Sequence, residues 1–425
     1  MLALLTAVQI VAADTIPVVT LSEALRAAAR LDPGYVGAVG ALDNAGWGRR
    51  AAWSALVLPA ITLSGDVTRS STPFFNIGAG GALRSSGTAR VDARYEVFAG
   101  GAKLAALRRS QAQVDAAEAG ALGVRFLVAL ATEADYYGVL ADEELARVAA
   151  ERVRRAEEQF GVARARVLSG AAVQTDSLQL LLELTRARVA RLDQDAALRV
   201  SRYQLGRRVG LVGAARAAPL DTQPAMELPF TLDDAVRRAL AQGPAYREAR
   251  ARERAAGAEL AMRRSAYLPR AALTASAAAF DDHFFPEARK VTVFSVTVSF
   301  PLWDNGQREL ALSQARVSRD VARAVRQDLE RAAWRDVAEA YDTYNTARAS
   351  TILARDAVTV ARENYRVQET RYRSGATTIL DLLDAQVALT ESEAALVQAR
   401  FGTRLALAGL EAILGTRLDP SKDAP

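Results

Sequence analysis

The sequence predicts a mainly α-helical protein with a small β part, built from two copies of one unit. Three observations carry that reading. None of the 13 prolines in 425 residues falls within 74–218 or 302–419. Both windows are rich in Ala, Leu, Arg, Glu and Gln, and each is far longer than the roughly ten to fourteen residues of an ordinary globular helix. The second observation is a self-similarity at an offset of about 205 residues, the signature of a duplicated unit. The third is a set of short segments, outside the helical windows or at their edges, in which apolar and polar residues alternate with the two-residue period of a strand.

Taken in order, the apolar stretch from Leu2 to Val11 followed by Ala12-Ala13 reads as a signal segment over 1–13, shortened at its front because no basic residue precedes it. At about ten residues it is shorter than the eighteen or so a membrane-spanning helix needs, and no other run reaches that length. The first repeat occupies 14–218 and the second 231–415, joined by a proline-rich linker at 219–230 and followed by a short tail at 416–425. Leu21-Ser22-Glu23-Ala24-Leu25-Arg26 returns as Leu232-Asp233-Asp234-Ala235-Val236-Arg237, and Leu58-Pro59 as Leu268-Pro269. Phe74-Phe75 returns as Phe284-Phe285, Ser169-Gly170 as Ser374-Gly375, Asp176 as Asp381, and Val209-Gly210 as Leu414-Gly415.

Each half therefore reads helix, strand, strand, helix, helix. A short helix with acidic residues in its first turn leads into a longer amphipathic helix ending at Pro59 or Pro269. Arg90–Val97 alternates charged and apolar residues. Its counterpart Thr292–Phe300 sets Phe294, Val296, Val298 and Phe300 on one face and Ser295, Thr297 and Ser299 on the other. Ile61–Ser64 and Leu273–Ser276 are their weaker partners. The paired phenylalanines fall in the expected loops between strands, where aromatics could mark a membrane interface or simply pack. Strands with one apolar and one polar face suit either a transmembrane barrel with a wet lumen or a half-exposed sheet on a soluble domain. Four strands cannot close a barrel, since the smallest need about eight, so a membrane reading requires several chains to share one barrel.

The helical windows break only at Ser169-Gly170 and Ser374-Gly375, where a residue tolerant of positive φ is expected. Beyond the second break Leu380, Leu383, Val387, Thr390, Ala394, Val397 and Phe401 recur at steps of three and four, a heptad seam. The same seam appears at Thr175, Leu178, Leu182, Thr185, Val189, Leu192 and Ala196 in the first half.

Composition excludes whole classes of chemistry. The chain has no cysteine, which removes disulfides, thiolate metal sites, cysteine nucleophiles and a lipid anchor on cysteine. Its one histidine, His283, cannot build an imidazole metal centre. No catalytic residue, cofactor or metal ligand is assigned. The net charge of +5 comes from arginines that alternate with Glu and Asp along the helices, the pattern of solvated helix faces rather than of a nucleic-acid patch.

Duplicated halves, each with two strands and two long helices around a glycine turn, resemble the TolC-like outer-membrane efflux family. The resemblance runs from about Thr20 to about Gly415. Its most specific stretch is Tyr372-Arg373-Ser374-Gly375-Ala376-Thr377-Thr378-Ile379-Leu380-Asp381-Leu382-Leu383-Asp384-Ala385-Gln386. It implies a homotrimer in which long α-helices form a coiled-coil barrel continuing into a twelve-stranded transmembrane β-barrel. By the same resemblance the protein is a passive exit duct in the bacterial outer membrane, extending into the periplasm, with a periplasmic adaptor (membrane fusion) protein, an inner-membrane transporter and outer-membrane lipid as partners. Asp381 and Asp384 would form stacked acidic rings at a closed entrance, positions that also suit carboxylates complementing a helix dipole. Arg166, Gly170, Arg371 and Gly375 would be the adaptor-docking tips, and Phe74, Phe75, Phe284 and Phe285 aromatics of the extracellular loops. A soluble or periplasmic coiled-coil scaffold is the alternative from another class.

Overall fold

The structure is a computed structural model that describes residues 16–76, 81–220, 227–281 and 288–418. The expected signal segment, His283, Phe284, Phe285 and the tail beyond Leu418 lie outside these residues. The elements run in chain order β1 (Val18–Val19), α1 (Leu21–Leu31), α2 (Pro33–Val57), β2 (Ala60–Asn76), β3 (Gly81–Phe98), α3 (Ala102–Leu168), α4 (Gln174–Arg208), β4 (Arg216–Ala217), α5 (Leu232–Gln242), α6 (Pro244–Arg264), β5 (Arg270–Asp281), β6 (Arg289–Ser299), α7 (Gln307–Arg373) and α8 (Ile379–Leu414). From α1 onward the order of long elements occurs twice.

Local chemistry explains the boundaries. Thr20 and Glu23 form a capping box at the start of α1, and Thr231 and Asp234 do the same for α5. Pro33 and Pro244 occupy the first positions of α2 and α6, where a missing N–H costs nothing. The helices α3 and α7 have 67 residues each, about 100 Å at 1.5 Å per residue.

The chain divides into two compact units, each drawing on both halves. One comprises Ala121–Ala245, the segment from Ala332 onward and the residues up to Ala38. Its upper core gathers Ala24, Tyr136, Tyr137, Val139, Leu140, Leu205, Ala215 and Ala217 beside the parallel pairing of β1 with β4, a pairing the sequence reading did not include. The Tyr136 hydroxyl donates to the Ala218 carbonyl at 2.7 Å, and burial pushes its pKa up to about 12. Arg417 from the segment after α8 donates to the fully buried carboxylates of Glu133 (2.6 Å) and Glu411 (2.8 Å). The segment read as a short tail thus takes part in a buried charge cluster.

Further along this unit, α4 and α8 each bury one face within the chain. Leu184 and Ala187 pack on Val153 and Ala156, while Ile379, Leu382, Ala385 and Leu389 pack with Ala163, Leu180, Tyr365 and Tyr372. The expected heptad seam lies beside that face, and much of it is uncovered: Leu178 is 56% exposed, Leu192 68% and Leu380 59%. The apolar residues of each helix are thus only partly covered within the chain.

The other unit holds Val39–Gly120 and Tyr246–Arg331. Its sheet is antiparallel in the order β2-β3-β5-β6, leaving β2 and β6 as edges. Ile61, Leu63, Phe294, Val296 and Val298 are exposed on it. The first hairpin is longer than the sequence alternation indicated, and this corrects one placement. Phe74 and Phe75 lie on β2, opposite Leu83 and Ala82, rather than in the loop. Pro73 reads as the end of a strand, but β2 is an edge strand and Pro73 sits in the ladder irregularity between Arg69 and Phe74, where a missing donor is tolerated. The other expectation revised is the amphipathic α2, which buries none of its residues.

Candidate functional site

The sequence-selected site residues other than the phenylalanines come together at the two helix-to-helix turns. Both turns close in the same way. Ala171 N–H donates to the Arg166 carbonyl and Gly170 N–H to that of Val167, at 2.8 and 3.0 Å. Ala376 and Gly375 donate likewise to Arg371 and Tyr372, again at 2.8 and 3.0 Å. These are Schellman closures, which require a left-handed residue after the helix; Gly170 and Gly375 supply it at φ 75° and 78°.

The entries to the following helices differ. Thr378 caps α8: its hydroxyl accepts the Asp381 N–H, and Asp381 Oδ2 accepts from the Thr378 N–H (3.1 Å), the Thr378 hydroxyl (2.7 Å) and the Thr377 hydroxyl (2.8 Å). The hydrogen bond from the Thr378 side chain, then that from Thr377 and the Thr378 backbone, hold the Asp381 carboxyl below the usual aspartate range. In the first tip Val173 stands at the equivalent position and offers no side-chain cap to α4. Asp384, one turn beyond Asp381, is exposed and has no hydrogen-bond or ion-pair partner among the described residues.

The arginines also differ. Arg166 Nη1 donates to the Tyr372 carbonyl at 2.6 Å, its guanidinium lies 5.2 Å from the Tyr372 ring centre, and it reaches Ala171 of its own turn at 3.5 Å. Arg371 reaches only its own turn, at the Ala376 carbonyl, 3.3 Å away. Sequence reasoning missed this tie and the polar strip above it. Gln159 Nε2 donates to the Tyr365 hydroxyl at 2.8 Å, and Arg155 pairs with Glu393. Gln386 is buried with both amide atoms lacking a partner among the described residues, as does the Tyr372 hydroxyl, whose pKa burial raises. Arg152 and Glu183 bind α3 to α4 with two hydrogen bonds, at 3.0 and 2.7 Å. Among the described residues no three His, Asp or Glu side chains gather as a metal site.

Both tips join long helices and are followed by carboxylates, Asp176 after the first and Asp381 and Asp384 after the second. The family model described as "Outer membrane efflux protein" matches residues 42–211 and 235–416. The chain belongs to the outer membrane efflux protein family. Membership sets its place in the outer membrane, reaching into the periplasm, and sets aside the soluble scaffold. The protein CyaE of Bordetella pertussis is 32% identical over 213 residues, 48% of this chain and 44% of that protein. The probable efflux pump outer membrane protein TtgC of Pseudomonas putida is 25% identical over 286 residues, 66% of this chain and 58% of its own length. The chain thus spans about half the length of these curated relatives. The crystal structure of the outer membrane protein VceC from Vibrio cholerae shares the fold with a TM-score of 0.78 at 20% identity, covering 94% of this chain and 97% of that one.

Proposed function

We propose that this family member is one protomer of a homotrimeric exit duct. Substrates delivered by an inner-membrane transporter and a periplasmic adaptor would pass through it without energy input of its own. The observation that carries this reading is the sheet. Its four strands leave one edge of β2 and one edge of β6 unpaired among the described residues, with apolar side chains exposed along both strands. Hydrocarbon does not tolerate open strand edges, and three copies would join edge to edge as a twelve-stranded barrel. The apolar side chains left exposed on α4 and α8 add support, because a neighbouring copy would cover them. The name of TtgC, an efflux pump outer membrane protein, favours the same assignment.

Within this duct Asp381 and Asp384 form the periplasmic constriction, as stacked rings of carboxylates that attract cations. Arg166, Gly170, Arg371 and Gly375 present the tips to the adaptor. Phe74 and Phe75, and Phe284 and Phe285 in the second half, border the outer mouth. The halves 14–218 and 231–415 descend from one duplicated unit.

Outer-membrane fractions test the assembly. The protein is expected to migrate as a trimer that dissociates on heating. Because the chain lacks cysteine, Ser64→Cys on β2 combined with Ser295→Cys on β6 gives a chain in which oxidation can link only neighbouring copies or the two edges of one copy. A covalent three-chain species supports the shared barrel; recovery as a soluble elongated monomer would end the proposal.

A further inference from the structure

Most arginines on the long helices meet a carboxylate, as Arg152 meets Glu183, Arg202 meets Glu143 and Arg326 meets Glu253. Three that converge on one groove do not, among the described residues. In the sheet-bearing unit α2 and α3 enclose a groove of about 800 Å³ lined chiefly by Trp47, Arg49, Arg50, Trp53, Arg108 and Gln111. Arg49 Nη1 donates to the neutral Gln111 Oε1 at 3.2 Å, the Arg50 guanidinium stacks 4.7 Å from the Trp47 ring centre, and Arg108 is exposed. The nearby Asp115 is engaged by Arg254 at 3.0 Å and by Gln111 Nε2 at 3.0 Å. Asp43 lies on α2 one turn beyond Trp47, on the side away from the sheet.

The tryptophans beside these arginines are open to the surroundings: Trp47 is 65% and Trp53 55% exposed. Position explains both. Between Trp53 and the first residue of β2, Ala60, lie one helical turn and the residues Leu58 and Pro59, a span of at most about 16 Å. The exposed apolar strip of the sheet begins at Ile61 and Leu63. The groove therefore falls at the headgroup level of the leaflet at that end of the barrel, where tryptophan is the favoured aromatic.

We propose that this groove binds the headgroup of an acidic phospholipid of the leaflet facing the periplasm. Guanidinium forks match phosphate oxygens in pairs, and three uncompensated positive charges favour a lipid whose headgroup adds no cation of its own. The Trp47 and Trp53 rings cover the upper acyl carbons. This inference rests on the proposed transmembrane barrel and not on conduction.

The chain has four tryptophans, so Trp303→Phe with Trp334→Phe leaves only Trp47 and Trp53 as reporters. The full chain is reconstituted in vesicles of phosphatidylethanolamine and phosphatidylglycerol, with brominated acyl chains on one lipid or the other. Brominated phosphatidylglycerol is expected to quench with a roughly tenfold preference over brominated phosphatidylethanolamine. Arg49→Gln, Arg50→Gln and Arg108→Gln together abolish the preference while both lipids still quench; the corresponding Arg→Lys variant retains it, which separates lost charge from lost fold. Equal quenching by the two lipids in the unsubstituted groove overturns the acidic-lipid site and leaves an aromatic belt. Absence of quenching by either lipid also overturns it, by showing that lipid does not reach the groove.

Discussion

The two tips, at 169–173 and 374–378, close on the same backbone and differ in what fastens them. Glycine dictates the shared part: Gly170 and Gly375 hold nearly identical left-handed angles and the same pair of closing hydrogen bonds. Side chains dictate the rest. Only the second tip has a side-chain cap on the helix that follows, and only the first sends an arginine across to its counterpart. A duplicated scaffold can keep a turn whose geometry is set by one residue while the contacts around it diverge. In the proposed duct, α8 would be the fixed wall of the aperture, and the first tip would be latched to the end of α7 that leads into it.

Substitution of the latch should give the largest effect. Arg166→Met removes a charged donor from the Tyr372 carbonyl, which should lower the local opening free energy by about 1.5 kcal/mol, or about tenfold faster amide exchange at 371–376. Arg371→Met, which loses only a 3.3 Å contact on an exposed turn, should stay within about 0.5 kcal/mol. Equal effects would erase the asymmetry. Next comes the cap. Thr378→Val should cost about 1 kcal/mol in the first turn of α8. Val173 already has the extended angles of a cap residue, with Asp176 three positions on, so Val173→Thr should stabilise α4 by up to about the same amount. Protection of backbone amides in the two helices reads both.

The smallest effect is a pH dependence. The folded pKa of Asp381 lies below its unfolded value, so the cap is complete above the ordinary aspartate value of about 3.9 and fails as pH falls through the lowered folded one. Asp381→Asn should abolish that acid-induced fraying. Carboxylates brought close by other copies would push the same pKa upward, so an Asp381 titrating above the ordinary range in the assembled protein would report the ring directly.

Much of the fold was legible because it rests on local rules. Helix breaks follow from proline and glycine, and the strands at 90–97 and 292–300 from their alternation. The full reach of β2 was not, because Gly65 and Pro73 break its pattern and pairing with β3 restores it. Asp381 was legible as a carboxylate near a helix start, while its capping partner Thr378 was not singled out. The Arg166 tie spans 206 residues and links one helical arginine among many to a backbone carbonyl, which carries no sequence signal. Arg417 was hidden for a similar reason, since its partners Glu133 and Glu411 stand in ordinary helical sequence.

Single-channel current across a planar bilayer tests the exit-duct proposal most directly. The purified protein should open as discrete, mostly closed channels blocked by divalent cations, and Asp381→Ala with Asp384→Ala should raise conductance and weaken that block. A protein that inserts but passes no current, or a double variant with unchanged conductance and block, would contradict a duct closed by these two carboxylates.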